Sequence, residues 1–223
     1  MQIVIAGAGS VGRSIARELI LKGHEITLID RVPDQMRVAS VAEADWILAD
    51  ACSPDALAEA NAGNCDVMVA ATGDDKANLV ISLLAKTEFG VPRVVARVNN
   101  PKNEWMFDSA WGVDVPVSTP RVMTALVEEA VSVGALVRLF EFHEAQTAIY
   151  AITLPAGSRA AGKSVKSLKL PGDARIISVL RDDAPLDSQN DFELEAGDEL
   201  VLMLASSKDS LHHDIEEIFG SQK

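Results

Sequence analysis

A chain of 223 residues, 48% hydrophobic and 24% charged, is long enough for one large or two small cores and too apolar to remain disordered. Its 20 Lys and Arg stand against 33 Asp and Glu, and the net charge of -13 opposes contact with a phosphate backbone or an anionic bilayer, which excludes nucleic acid as a partner. The acidity is even: residues 1–118 hold 10 basic and 16 acidic residues and residues 119–223 hold 10 and 17, so no basic arm is hidden in the sum.

The first half alternates short β-branched runs with helical stretches. Strands are expected at Ile3 to Ala6, Ile26 to Ile29, Trp46 to Ala49, Val67 to Ala71 and Val94 to Val98, with a weaker sixth at Val113 to Val117. Between the first two, Ser10 to Lys22 gathers Val11, Ile15, Ala16, Leu19 and Ile20 on one helical face. Strands apolar at nearly every position and joined by helices imply a parallel sheet covered on both sides, a doubly wound α/β architecture. Around Ser118 the pattern changes. Ser118-Thr119-Pro120 offers a capping hydroxyl and a proline at a helix start, and a connecting helix is expected to run to about Val133. Beyond Gly134 come strand-like runs at Val137 to Phe142, Ile149 to Leu154, Ile176 to Leu180 and Glu199 to Leu204. A short helical stretch near Ala161 to Leu168 and a closing helix from Ser207 to Phe219 complete a small α+β module. The expected division is therefore 1–118, a connecting helix 119–136, and 137–223. A module of this size is near the lower limit for an adequate core of its own, so it is expected to lean on a partner or a copy of itself.

No apolar run reaches the roughly 18 to 20 residues of a membrane-spanning helix. The start, Met1-Gln2-Ile3-Val4-Ile5, enters a strand pattern without a charged n-region, so no secretory signal is expected and a cytoplasmic location is. Cys52 and Cys65 are too few for a metal cage or a disulfide framework, and no chemistry is assigned to them.

Gly7-Ala8-Gly9-Ser10-Val11-Gly12 fits G-x-G-x-x-G, follows a strand and opens a helix, and the next strand ends in Asp30. Gly7 permits the tight turn, Gly9 lets the backbone approach a pyrophosphate, and Gly12 lets the helix pack close to the sheet, while free amides around Ser10 and Val11 meet the phosphate charge. Asp30 can accept two hydrogen bonds from a ribose diol and would repel a 2′-phosphate, which Arg31 could soften. Asp50, followed by Ala51, ends the third strand at the same edge, where it could meet adenine or its ribose or else cap the helix near Pro54. Thr72, Gly73, Asp74, Asp75 and Asn78 follow the fourth strand; Thr72 and Asn78 are neutral donors suited to a phosphate or ribose, and either aspartate could cap the next helix. Arg97 ends the apolar fifth strand, where a guanidinium needs an anion: a phosphate, Asp74 or Asp75.

Taken together, the glycine fingerprint, Leu28-Ile29-Asp30, Ala49-Asp50, Ala71-Thr72-Gly73-Asp74-Asp75 with Asn78, and Ala96-Arg97-Val98 resemble the RCK (regulator of K+ conductance) proteins of TrkA/KtrA type. Gly162-Lys163-Ser164, Leu168 to Pro171, Ile177 to Arg181 and Ala196-Gly197-Asp198-Glu199-Leu200 resemble that family's C-terminal domain, so the likeness spans nearly the whole chain. It implies a Rossmann-like RCK N-terminal domain followed by the small RCK C-terminal domain. It also implies a non-enzymatic cytoplasmic regulatory subunit that assembles with itself, from dimer to octameric ring, on a membrane potassium translocator of TrkH/KtrB type. In the family NAD(H), ADP or ATP binds in the Rossmann crevice and changes the ring shape. The carried-over positions are Gly7, Gly9, Gly12, Asp30, Asp50, Thr72, Asp75, Asn78 and Arg97. ATP-sensing relatives often carry an arginine in the glycine loop and a glutamate near the connector start; Ser10 and Ser118-Thr119-Pro120 stand there instead, which favours NAD(H) or a diphosphate. Some relatives bind cyclic di-AMP at the C-terminal domain, where the basic cluster is Arg159, Lys163, Lys166, Lys169 and Arg175; a solvated face is the blander reading of those residues.

The competing reading is an NAD-dependent oxidoreductase on the same fold. Its chemistry is hard to find: Tyr150 has Leu154 four residues on, so there is no Tyr-x-x-x-Lys acid, and His24, His143, His212 and His213 lie away from strand ends. A DNA-binding regulator lacks both a helix-turn-helix and basic residues to place on phosphates. Val122 to Val133 and the segment with Trp105, Met106 and Trp111 are expected subunit contacts or core.

Overall fold

The computed structural model describes residues 1–142, 145–172, 174–182, 184–187, 191–205 and 209–220, so His143 and Ser207 lie outside the described residues. It divides into two compact units, Met1–Pro120 and Arg121–Lys223.

In the first unit six strands, β1 Gln2–Ala6, β2 Glu25–Asp30, β3 Asp45–Leu48, β4 Val67–Ala70, β5 Arg93–Val98 and β6 Val115–Ser118, form one parallel sheet in the order β3-β2-β1-β4-β5-β6. The sixth strand starts two residues later than the sequence suggests. Val113 is drawn into the core, and Asp114, just before the strand, donates its N–H to the Val94 carbonyl at 3.0 Å while its carboxylate accepts the Val94 N–H at 2.6 Å and pairs with Lys86 at 2.7 Å. Alternation splits each strand between two cores. Ile3 and Ile5 pack with Ile26, Leu28 and Ala16 under helix α1 (Ser10–Leu21), whereas Val4 and Ala6 face Leu57, Met68, Leu79 and Ile81 on the side of helices α2 (Pro54–Glu59) and α3 (Asp75–Thr87). The chain passes from one face to the other between β1 and β4, the point at which open α/β sheets leave a crevice beyond the carboxyl ends of their strands.

Helix α1 packs against the sheet through Gly12: a Cβ there would lie 1.8 Å from the Gly7 carbonyl oxygen, so no side chain fits without moving the helix. Gly7 itself has φ +106°, a conformation only glycine adopts without strain. Trp105 is 78% exposed, while its neighbour Met106 packs against the core, which leaves Trp105 alone as the outward residue of that pair.

In the second unit, helix α4 (Thr119–Val131) enters the unit, and strands β7 Val137–Phe142, β8 Thr147–Thr153, β9 Arg175–Arg181, β10 Ala184–Pro185 and β11 Glu199–Ala205 make an antiparallel sheet in the order β10-β9-β11-β8-β7. Leu200, Leu202 and Leu204 of β11 alternate onto the face shared with Ala148, Tyr150 and Ile152, and this core takes in Leu211, Ile215 and Phe219 of helix α5 (Asp209–Phe219). The helical stretch expected at Ala161 to Leu168 is only a 3₁₀ turn at Val165–Ser167, because Gly162 adopts φ +77° and the backbone of Gly162, Lys163 and Val165 bonds across to Phe192 and Leu194, which leaves room for single turns but not for a continuous helix. The reach from Leu194 to Asp198 is organised by an ion pair between the buried Asp198 and the half-buried Arg181. Arg181 donates Nε to Asp198 Oδ1 at 2.7 Å and Nη2 to Oδ2 at 2.8 Å, and the Glu195 N–H donates to the same carboxylate at 2.8 Å.

The basic cluster of this unit is not a bare cationic face. Arg159 pairs with Glu217 at 3.2 Å, Arg175 donates to the Ala174 carbonyl, and the hollow beside Arg159 and Lys163 is also lined by Asp214 and Glu217.

Candidate functional site

At the carboxyl edge of the parallel sheet lies a crevice of about 400 Å³. Its floor is the glycine loop with Ser10 and Val11, one wall is Asp30, Arg31, Val32 and Gln35 followed by Asp50, Ala51 and Cys52, and the other is Ala71 to Asp74 with Ala77, Ile81 and Arg97. Of the residues singled out in the sequence, Gly7, Gly9, Ser10, Val11, Asp30, Arg31, Asp50, Ala51, Thr72, Gly73 and Arg97 meet here. Gly12, Asp75 and Asn78 do not line it.

Each of the three absences has a cause. Gly12 is buried against the Gly7 backbone. Asn78 is wholly buried one turn into α3, its Oδ1 accepting the Thr72 N–H at 2.9 Å and the Thr72 hydroxyl at 2.6 Å, its Nδ2 donating to the Arg97 carbonyl at 2.8 Å. It therefore fixes Thr72 and the end of β5 from behind. Asp75, also buried, accepts the Asn99 and Asn100 N–H groups at 2.6 and 3.0 Å and the Asn103 amide at 2.8 Å, clamping the start of α3 to the loop after β5. Burial works to raise its pKa, but these hydrogen bonds outweigh it and hold the carboxyl below the ordinary range. The helix cap is Asp74, whose Oδ1 accepts the Lys76 N–H at 2.9 Å.

On the opposite wall Asp30 accepts the Ala8 N–H at 2.7 Å and the Val32 N–H at 2.9 Å, so it braces the glycine loop while its remaining lone pairs stay available to a ligand. Asp50 does not cap α2, whose N-cap is Ser53. It accepts the Cys52 N–H at 3.0 Å and meets Arg31 at 3.4 Å across the mouth, and that N–H, with Arg31, keeps its pKa low. Cys52, a residue without an assigned role in the sequence, lines the crevice as a protonated thiol, pushed up to about 11 by burial and by Asp50. Gln35 is a further polar lining residue for which the sequence carries no signal: it lies past the end of β2 in a 3₁₀ turn with no motif of its own.

Two features ask for an anion. Gly9 caps α1 with no side-chain hydrogen bond, leaving the first amides of the helix for a ligand. Arg97 Nε is buried without a hydrogen-bond partner, and neither Asp74 nor Asp75 pairs with its guanidinium among the described residues. A buried N–H without a partner is costly, and a phosphate in the crevice supplies the acceptor it lacks. These residues thus fit a nucleotide whose phosphates lie between the start of α1 and Arg97 and whose ribose lies toward Asp30.

Strand, glycine loop, helix amides and the acidic end of β2 define a Rossmann-type nucleotide-binding domain, here followed by a small antiparallel α+β domain. Family models described as the TrkA-N domain and the TrkA-C domain match residues 3–119 and 149–208. The chain belongs to the TrkA family. It is 54% identical over 203 residues to the Trk system potassium uptake protein TrkA of Mycobacterium tuberculosis strain H37Rv, covering 91% of this chain and 92% of the relative. The protein of the same name from Vibrio alginolyticus is 29% identical over 216 residues, covering 93% of this chain but 47% of the relative, so the chain spans about half of that protein's length. Among solved structures, the GsuK channel bound to NAD superposes with a TM-score of 0.70 at 18% identity, covering all of this chain and 40% of that one. The Kef C-terminal domain of Shewanella denitrificans in its AMP-bound form gives 0.52 at 22% identity, covering 58% of this chain and 79% of that one. At such identities the likeness establishes the fold.

Proposed function

We infer that this chain is the nucleotide-sensing regulatory subunit of a potassium uptake system, seated at the inner face of the membrane through a translocator of TrkH/KtrB type. The observation that carries the nucleotide part is the unpaired Arg97 guanidinium facing a crevice floored by the glycine loop. The potassium part rests on family membership, since the relatives bear the name of a potassium uptake protein. No helix among the described residues is long and apolar enough to cross a membrane, so transport itself requires a partner.

In this reading the start of α1 and Arg97 hold phosphate, Asp30 holds a ribose diol and Asp50 the adenine side, while Asn78 and Asp75 keep the far wall in place. The crevice is a sensing site and not a catalytic one; its one thiol stays protonated at neutral pH. A ligand acts by binding one arrangement of the assembled subunits more tightly than another, and a tenfold preference per site, about 1.4 kcal/mol, multiplies over several sites. Because the glycine loop offers Ser10 and the connector Ser118 and Thr119, NAD(H) or ADP is the expected ligand. Calorimetric titration with NADH, NAD, ADP and ATP tests this: micromolar binding of at least one supports the reading, tightest binding by ATP overturns the preference, and no binding overturns the sensing role.

Self-assembly is supported by α4, whose Val122, Met123, Leu126, Val127 and Val131 are all exposed. A protein of net charge -13 needs such an uncharged face to meet a copy of itself. Met123→Lys with Leu126→Lys is expected to reduce the assembly to smaller species in sedimentation velocity without lowering the thermal midpoint; an unchanged sedimentation coefficient would place the contact elsewhere.

A further inference from the structure

Arg13 follows Gly12 in the first turns of α1, and its side chain runs back toward the helix start, as helical side chains do. There Nη1 donates to the Ala8 carbonyl and, at 3.2 Å, to Gln35 Oε1. Among the described residues it has no carboxylate partner. A guanidinium can only donate, so Gln35 must turn its carbonyl oxygen to Arg13, and the NH2 group is what remains of the amide. That nitrogen has no acceptor among the described residues, and Gln35 lines the crevice five residues past Asp30.

We propose that Arg13 is a positioning residue which presents the Gln35 amide as a hydrogen-bond donor to the ribose oxygens of the bound nucleotide, opposite the Asp30 carboxylate. The two side chains are complementary: Asp30 takes the hydroxyl protons of the diol, and Gln35 gives an N–H to the lone pairs the same oxygens still carry. Ordering by Arg13 removes the rotamer freedom that an exposed glutamine would otherwise lose on binding. The proposal rests on the nucleotide reading of the crevice.

The test is calorimetry of NADH, ADP and 2′,3′-dideoxyadenosine diphosphate with the wild type, Gln35→Ala, Gln35→Glu, Arg13→Ala, Arg13→Lys and the double alanine variant. Gln35→Ala is expected to weaken ADP about 5- to 15-fold, the size of one neutral hydrogen bond, and to leave the dideoxy analogue within about twofold. Arg13→Ala should cost about as much, and the double variant no more than either alone. Arg13→Lys, which keeps a donor, should recover most of the affinity. Gln35→Glu should keep the thermal midpoint by pairing with Arg13 yet bind ADP no better than Gln35→Ala, having no N–H to give. If Arg13 and Gln35 merely tie two loops together, the alanine variants shift the thermal midpoint and leave affinity within twofold, which overturns the proposal. Equal losses for ADP and its dideoxy analogue, or losses that multiply in the double variant, also overturn it. Failure of the wild type to bind any nucleotide removes the sensing role and this proposal together, whereas wild-type binding with an indifferent Gln35→Ala removes this proposal alone.

Discussion

Replacing Arg97 by methionine is expected to weaken nucleotide binding about 10- to 100-fold and to leave the unliganded protein at least as heat-stable as the wild type. The two effects have opposite signs for one reason. In the unliganded chain the buried Nε has no partner, so its desolvation is uncompensated, and an apolar side chain of similar length relieves that cost. With a phosphate in the crevice the same group makes charge-assisted hydrogen bonds, each contributing about 1.5–3 kcal/mol, which methionine cannot make. Calorimetry and a thermal melt on the same preparation check both parts. A variant that binds normally would show that the anion sits elsewhere. One that unfolds early would show that Arg97 has a structural partner.

Arg181→Ala is expected to destabilise the second unit by about 3–5 kcal/mol, because it strands an almost fully buried carboxylate. The pair ties the end of β9 to the Glu195–Asp198 turn, so its loss also frees the start of β11. Burial alone would raise the Asp198 pKa; the Arg181 hydrogen bonds, the Glu195 N–H and the Arg181 charge outweigh it, and the net shift is downward. Asp75 is lowered as well. A carboxylate whose folded pKa is depressed contributes stability that is present above its unfolded value, near the ordinary 3.8, and is lost as pH falls through the lower folded value. Stability should therefore hold from neutral pH to about 4 and fall below it. In Arg181→Ala the downward pull on Asp198 is gone, so its share of the acid loss should shrink and the variant's stability should fall less steeply below pH 4 than the wild type's. Differential scanning calorimetry across pH 3 to 7 checks this; identical acid profiles for wild type and variant would refute the linkage.

Much of the site was legible in the sequence because its rules are local. The turn at Gly7, the amides after Gly9, the helix contact at Gly12 and the acid at the end of β2 each follow from a residue type at a fixed distance from a strand end. Asp75 and Asn78 were placed at the right helix start but on the wrong side of the wall. Sequence proximity puts both near the crevice. Whether they point into it depends on where the Asn99 and Asn100 amides and the Arg97 carbonyl come to rest, which is settled by the pairing of β4 with β5. Gln35 was missed for the complementary reason: its partner Arg13 is 22 residues away and no spacing rule joins them.

By itself the sequence determined the alternation of strand and helix, the doubly wound first unit, the small α+β second unit, the acidic surface and the family. Apolar periodicity and glycine placement record burial and backbone shape residue by residue. Only the tertiary structure decided which polar side chains are already satisfied and which remain open. Asp75 and Asn78 hold backbone, Asp198 holds Arg181, and Arg97 and Gln35 are left with donors to give. That distinction depends on partners brought together across the sheet from distant parts of the chain, and it sets where a ligand can gain affinity.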